Sequence, residues 1–108
     1  MTYYLDNLAE DLHKVAVEKG FWPENVDDIF ITKQLMMVVS ETVEVMEAIR
    51  KDKGSAAVVD EMADIVIRTL DLYWGMVENG YTDISLDDAL YNKVAYNKER
   101  PERHGVRF

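Results

Sequence analysis

The chain has 108 residues, 48% apolar and 31% charged, the balance of one globular domain spanning residues 1–108 and not of a disordered tail. It holds no cysteine, which excludes disulfide scaffolds, Cys-type zinc sites and thiol nucleophiles. The formal net charge of −9 is unevenly spread, since residues 1–92 hold seven Lys/Arg against nineteen Asp/Glu whereas residues 93–108 hold five against two; this acidic body excludes a nucleic-acid polymer as the natural partner.

Helical periodicity runs through almost the whole chain. Residues 3–19 place Leu5, Leu8, Leu12, Val15 and Ala16 at three- and four-residue spacing, and Gly20 stops the run. Phe21-Trp22-Pro23-Glu24-Asn25 reads as a loop, because proline lacks a donor and restricts the residue before it. Asp27 or Asp28 suits the N-cap of a second helix reaching about Lys51, with an inward stripe of Leu35, Val38 or Val39, Thr42, Val45 or Met46, and Ile49. Lys51–Ser55 is a short turn, Gly54 suiting the left-handed residue after the helix and Ser55 the next N-cap. A third helix over roughly 56–79 turns Val59, Met62, Val66, Leu70, Tyr73 and Val77 inward, and Asn79-Gly80 ends it. Ser85-Leu86-Asp87-Asp88 resembles a capping box that opens a fourth helix over 86–99, and Pro101 closes it. The expected fold is all-α, a four-helix bundle-like domain.

The longest apolar run, Leu35 to Val39, is five residues, far short of the ~20 that cross a bilayer, so no membrane partner is expected. The N-terminal MTYYLDNLAEDLHK is acidic where a secretory leader is basic and then apolar, which makes a cytoplasmic location the default expectation. That same apolar run covers more than one face of its helix, which predicts self-association that completes the fold. Met36, Met37, Met46, Met62 and Met76 read as core filling.

Carboxylate placement is the informative chemical feature. Glu41 and Glu44 lie three apart on the second helix, and Glu61 and Asp64 repeat that spacing on the third. A short turn makes these helices antiparallel neighbours, and the two pairs stand equidistant from its centre. Glu41 therefore faces Asp64, and Glu44 faces Glu61 one turn nearer the loop. Four converging carboxylates repel unless cations sit among them, and all-oxygen ligation suits Mg²⁺, with Mn²⁺ as a substitute. Glu47 reads as a surface charge, Gln34 as a polar position on the face of Glu41, and Trp22 as a loop residue capping the core. Glu10-Asp11-Leu12-His13 holds a single E-x-x-H, where a di-iron bundle needs two, so His13 reads as structural or exposed; His104 reads as part of a polar tail.

SETVEVMEAIR followed by VDEMADIVIRTLDL gives an E-x-x-E … E-x-x-D pattern with sixteen residues between Glu44 and Glu61. It resembles the MazG-like, all-α nucleoside triphosphate pyrophosphohydrolase family, and KGFWP and YNKERPERHG look like further segments of small MazG-like proteins. The resemblance implies Mg²⁺-dependent hydrolysis of a nucleoside triphosphate, NTP or dNTP, to monophosphate and pyrophosphate, with Glu41, Glu44, Glu61 and Asp64 as catalytic metal ligands. It also implies a homodimer or homotetramer with sites near subunit interfaces. On the fourth helix Lys93, Asn97 and Arg100 form one polar stripe. Their K…YN..R pattern looks like the family's phosphate- and nucleotide-contacting segment, which makes the trio the expected substrate-binding residues. The competing class is a non-catalytic helical module that binds a nucleotide or a protein partner.

Overall fold

Four helices follow one another in a computed structural model that describes residues 4–100: α1 (Leu5–Glu18), α2 (Asp28–Arg50), α3 (Ser55–Glu78) and α4 (Leu86–Glu99). No strand occurs among the described residues, so the fold is all-α. No helix is long and apolar enough to cross a membrane. The basic end beyond Arg100, with Pro101, Arg103, His104 and Arg107, lies outside the described residues, as does the expected helix start at Tyr3.

The helix ends follow from local chemistry. Asp27 caps α2, its carboxylate accepting from the Phe30 N–H at 2.8 Å. Gly20, at φ +79, ends α1 in the left-handed conformation, and the Phe21 N–H returns to the Ala16 carbonyl. The α2–α3 turn differs from expectation. Asp52, not Gly54, takes the left-handed position after α2 (φ 52), and the Lys53 N–H closes onto the Ala48 carbonyl. The helix stop is thus completed two residues early, so α3 begins one residue sooner, with Gly54 at its N-cap and Ser55 as its first helical residue.

α3 is the middle helix, packed by α2 on one side and α1 on the other. Buried apolar side chains are few and small: Ala9 and Ala16 on α1, Ile31 and Ala48 on α2, Leu70 and Leu72 on α3. Much of the expected inward stripe is not covered within the chain. Leu35, Val39, Met46 and Ile49 on α2, and Val59, Met62 and Val66 on α3, are each at least 50% exposed, and Thr42, Val15, Leu8 and Met36 are exposed as well. Three of the methionines assigned to the core therefore stand on the surface. The reason is architectural: one chain supplies a sheet of three helices, which leaves the far face of α2 and α3 without a neighbour. The radius of gyration, 16.3 Å, exceeds the ~13 Å of a compact domain of this length.

One buried cluster joins three elements. The Trp22 indole lies over Gly75, where any Cβ would overlap the ring, so α3 has to be bare at that position. Trp22 meets the His13 ring edge-on at 4.6 Å and Phe30 at 5.0 Å, and its Nε1–H donates to Asp71 at 3.1 Å. His13 is 5% exposed and its Nδ1 pairs with Asp71 Oδ1 at 2.8 Å. Both sequence readings hold here: Trp22 caps the core and His13 is structural.

α4 is fastened by its first turn. The Asp87 carboxylate accepts from the N–H groups of Leu5 (2.7 Å) and Asp6 (3.1 Å) at the start of α1. The Asp6 carboxylate in return accepts from the Asp87 N–H (3.0 Å) and the Ser85 hydroxyl (2.6 Å). Ser85 also caps its own helix, accepting from the Asp88 N–H at 3.2 Å, and the Tyr73 hydroxyl takes the Leu86 N–H while donating to the Ile84 carbonyl at 2.6 Å. Two helix N-termini thus exchange anionic caps, which satisfies donors that a helix cannot satisfy itself and places negative charge at both positive dipole ends. Asp6→Ala and Asp87→Ala should each lower stability by about 1–2 kcal/mol, and the double variant by less than their sum because they share one network. Urea denaturation of the three variants measures this.

Candidate metal centre

The acidic pairs occupy facing stretches of α2 and α3. Carboxylate oxygens of Glu41, Glu61 and Asp64 lie within 4.8 Å of one another, a group that could hold a metal ion. Glu41 and Glu61 are part-buried, and the Glu41 side chain is only 16% exposed. Glu44 stands apart from this group and is exposed, although its charge still reaches Glu61. Three of the four expected ligands therefore converge and the fourth stands beside them. The Glu61 carboxyl is pushed above its ordinary value, first by desolvation and then by the negative charges of Asp64, Glu44, Glu41 and Asp60. Like charges gathered at one place are the cause of the last four effects. A hard divalent cation accepting carboxylate oxygens is the chemistry this donor set fits.

A cleft of about 400 Å³ opens beside the carboxylates, within the size range of small-molecule sites. Leu12, Val15 and Ala16 of α1, Phe21 of the following loop and Ile67 of α3 give it apolar walls, while Glu41, Asp64, Arg68 and Asp71 give it a polar side. Arg68 is the residue that sequence reasoning missed. Its Nε–H donates to Glu41 Oε1 at 2.7 Å, joining α3 to α2 at the edge of the acidic group. The signal was present: Arg68 follows Asp64 by four residues and so shares its face of α3. Glu47 is engaged locally, 3.6 Å from both Arg50 and Lys51, which agrees with its reading as a surface charge.

Lys93, Asn97 and Arg100 are not brought to the carboxylates within the chain. None of them lines the cleft. Lys93 and Asn97 are exposed, and the Arg100 guanidinium stacks over the Tyr96 ring at 5.2 Å with Nη1 3.5 Å from Asn97 Oδ1. α4 is anchored at the N-terminal end of α1, whereas the cleft uses the C-terminal half of α1; that separation places the trio elsewhere.

No protein family, curated protein or solved structure matches this chain.

The Glu61 displacement carries a definite sign. A carboxyl raised in the folded state favours its protonated form there, so the folded chain binds more protons than the unfolded one between the ordinary value of 4.5 and the folded value. The metal-free protein should lose stability as pH rises through that window. Glu61→Gln should therefore raise the melting temperature in chelator at about pH 7, and the gain should shrink by about pH 4. Differential scanning fluorimetry at both values checks it.

Proposed function

We propose that this protein is a Mg²⁺-dependent hydrolase that cleaves a nucleoside triphosphate to monophosphate and pyrophosphate. The observation that carries the reading is the meeting of Glu41, Glu61 and Asp64 within 4.8 Å at the polar side of a 400 Å³ cleft. The resemblance of the E-x-x-E … E-x-x-D pattern to the MazG-like family supplies the reaction class. Glu41, Glu61 and Asp64 would hold the cation, with Glu44 beside them. Mg²⁺ held there would supply phosphate charge neutralisation and a more acidic bound water, which is what phosphoryl chemistry chiefly requires. The apolar walls from Leu12, Val15, Phe21 and Ile67 receive the rest of the nucleotide and keep water from it. Glu41 also accepts the Arg68 Nε–H, which joins α3 to α2 at the edge of the acidic group.

The exposed apolar face of α2 and α3 supports self-association. A single chain leaves Leu35, Val39, Met46, Ile49, Val59, Met62 and Val66 at the surface of two neighbouring helices, and a second copy offers the same apolar residues in return. A homodimer is the simplest assembly that covers it, a homotetramer the next. The same face is the ground for the second reading, a non-catalytic helical module whose partner is another protein.

Pyrophosphate release over a panel of ribo- and deoxyribonucleoside triphosphates with Mg²⁺ separates the two readings. Release from at least one is expected, and none from any of them would favour the module. Millimolar Mg²⁺ or Mn²⁺ should raise the melting temperature by mass action, and Glu41→Gln and Asp64→Asn should abolish both the activity and that rise. In sedimentation at micromolar concentration the chain should run at a multiple of its 12.5 kDa mass. A clean monomer would overturn the assembly.

A further inference from the structure

We propose that Arg68 is the phosphate anchor of the cleft. The inference rests on the hydrolase reading above and adds a residue to it.

The cleft has one cationic lining residue, and that residue is Arg68. An acidic site repels a polyphosphate unless some positive group meets it, so the position of this guanidinium matters. Among the described residues Arg68 makes a single polar contact, through Nε to Glu41 at 2.7 Å. The four N–H donors on its two Nη atoms make no bond to any described residue, and the side chain is 38% exposed, so they are available to a ligand in the cleft that Arg68 lines. A guanidinium presents these donors as a planar fork that matches two phosphate oxygens, which a lysine ammonium cannot do.

The Nε contact is what makes the fork useful. Glu41 is part-buried, and its bond to Nε tethers the guanidinium at the polar side of the cleft. Arg68 is thereby in direct contact with one of the cation ligands. A phosphate chain held by the Nη donors lies against Glu41 and Asp64, while the remainder of the ligand extends toward Ile67 and Phe21. Arg68 thereby links the acidic group to the apolar part of the cleft. In this arrangement the residue serves binding through Nη and positioning through Nε.

The test uses inorganic tripolyphosphate with Mg²⁺ as probe, followed by calorimetry, and Mn²⁺ alone, followed by electron paramagnetic resonance. Arg68→Ala should weaken tripolyphosphate binding by about tenfold or more, the size of a charge-assisted pair of hydrogen bonds. Mn²⁺ alone should bind Arg68→Ala at least as tightly as wild type, because the cation no longer competes with a guanidinium for Glu41. Arg68→Lys keeps the charge without the fork; it should fall between the two, and it supplies the comparison if Arg68→Ala does not fold. Equal tripolyphosphate affinity in wild type and both variants would overturn the anchor and leave the hydrolase reading standing. A parallel loss of Mn²⁺ and tripolyphosphate would also overturn it, since Arg68 would then act only through Glu41. A wild-type protein that binds neither probe would sink the anchor and the hydrolase reading together.

Discussion

The register of α2 against α3 governs what the rest of the chain can do. A four-residue connection, with Asp52 and Gly54 at positive φ, turns the backbone back on itself and sets which positions share a level. With that register Glu41 stands opposite Asp64 and within bonding distance of Arg68, one turn further along α3. A slip of one residue would rotate the facing positions by ~100° and scatter the carboxylates around the helix. α1 then adds the apolar wall of the cleft, held against α3 by the Trp22, His13 and Asp71 contacts. Asp71 belongs to both assemblies, bonding the indole and the imidazole on one side and lining the cleft on the other.

How the site combines charge and burial follows from this placement. Gathering Glu41, Glu61 and Asp64 is electrostatically unfavourable, and one guanidinium beside Glu41 offsets it; the Glu61 carboxyl is raised by desolvation first and by its acidic neighbours second. Such strain is tolerable because the surrounding contacts fix both helices independently of the charges. Trp22 against Gly75 of α3 is one such contact, and Trp22 against Phe30 of α2 is another. Structure of this kind keeps ligands close before they are used, which is how binding sites reduce the entropy lost on occupation.

Local signals were legible in the sequence and long-range ones were not. Asp27 and Ser85 were readable as caps because the donor and acceptor are three residues apart. The helix hairpin and the facing acidic pairs were readable because spacing and turn length determine them together. Glu44 fell outside the converging group because register fixes the height of a side chain and not its rotamer. Exposure of Leu35, Met46, Val59 and Met62 was misread as core, since periodicity reports that a face is apolar without reporting what covers it. The exchange of caps between Asp6 and Asp87 had no local signature, because its partners lie 81 and 82 residues apart. That Lys93, Asn97 and Arg100 do not line the cleft accords with α4 being fastened to the start of α1 by that exchange.

The cap exchange also divides the chain into cooperative units. α4 contains no buried residue, and its ties to the body are concentrated in its first turn at Ser85, Leu86 and Asp87. Little apolar surface is exposed when it detaches, so its opening free energy within a single chain is far below that of α1 to α3. Its backbone amides beyond the first turn exchange with solvent through local excursions, while those of α3, packed on both sides, wait for global unfolding.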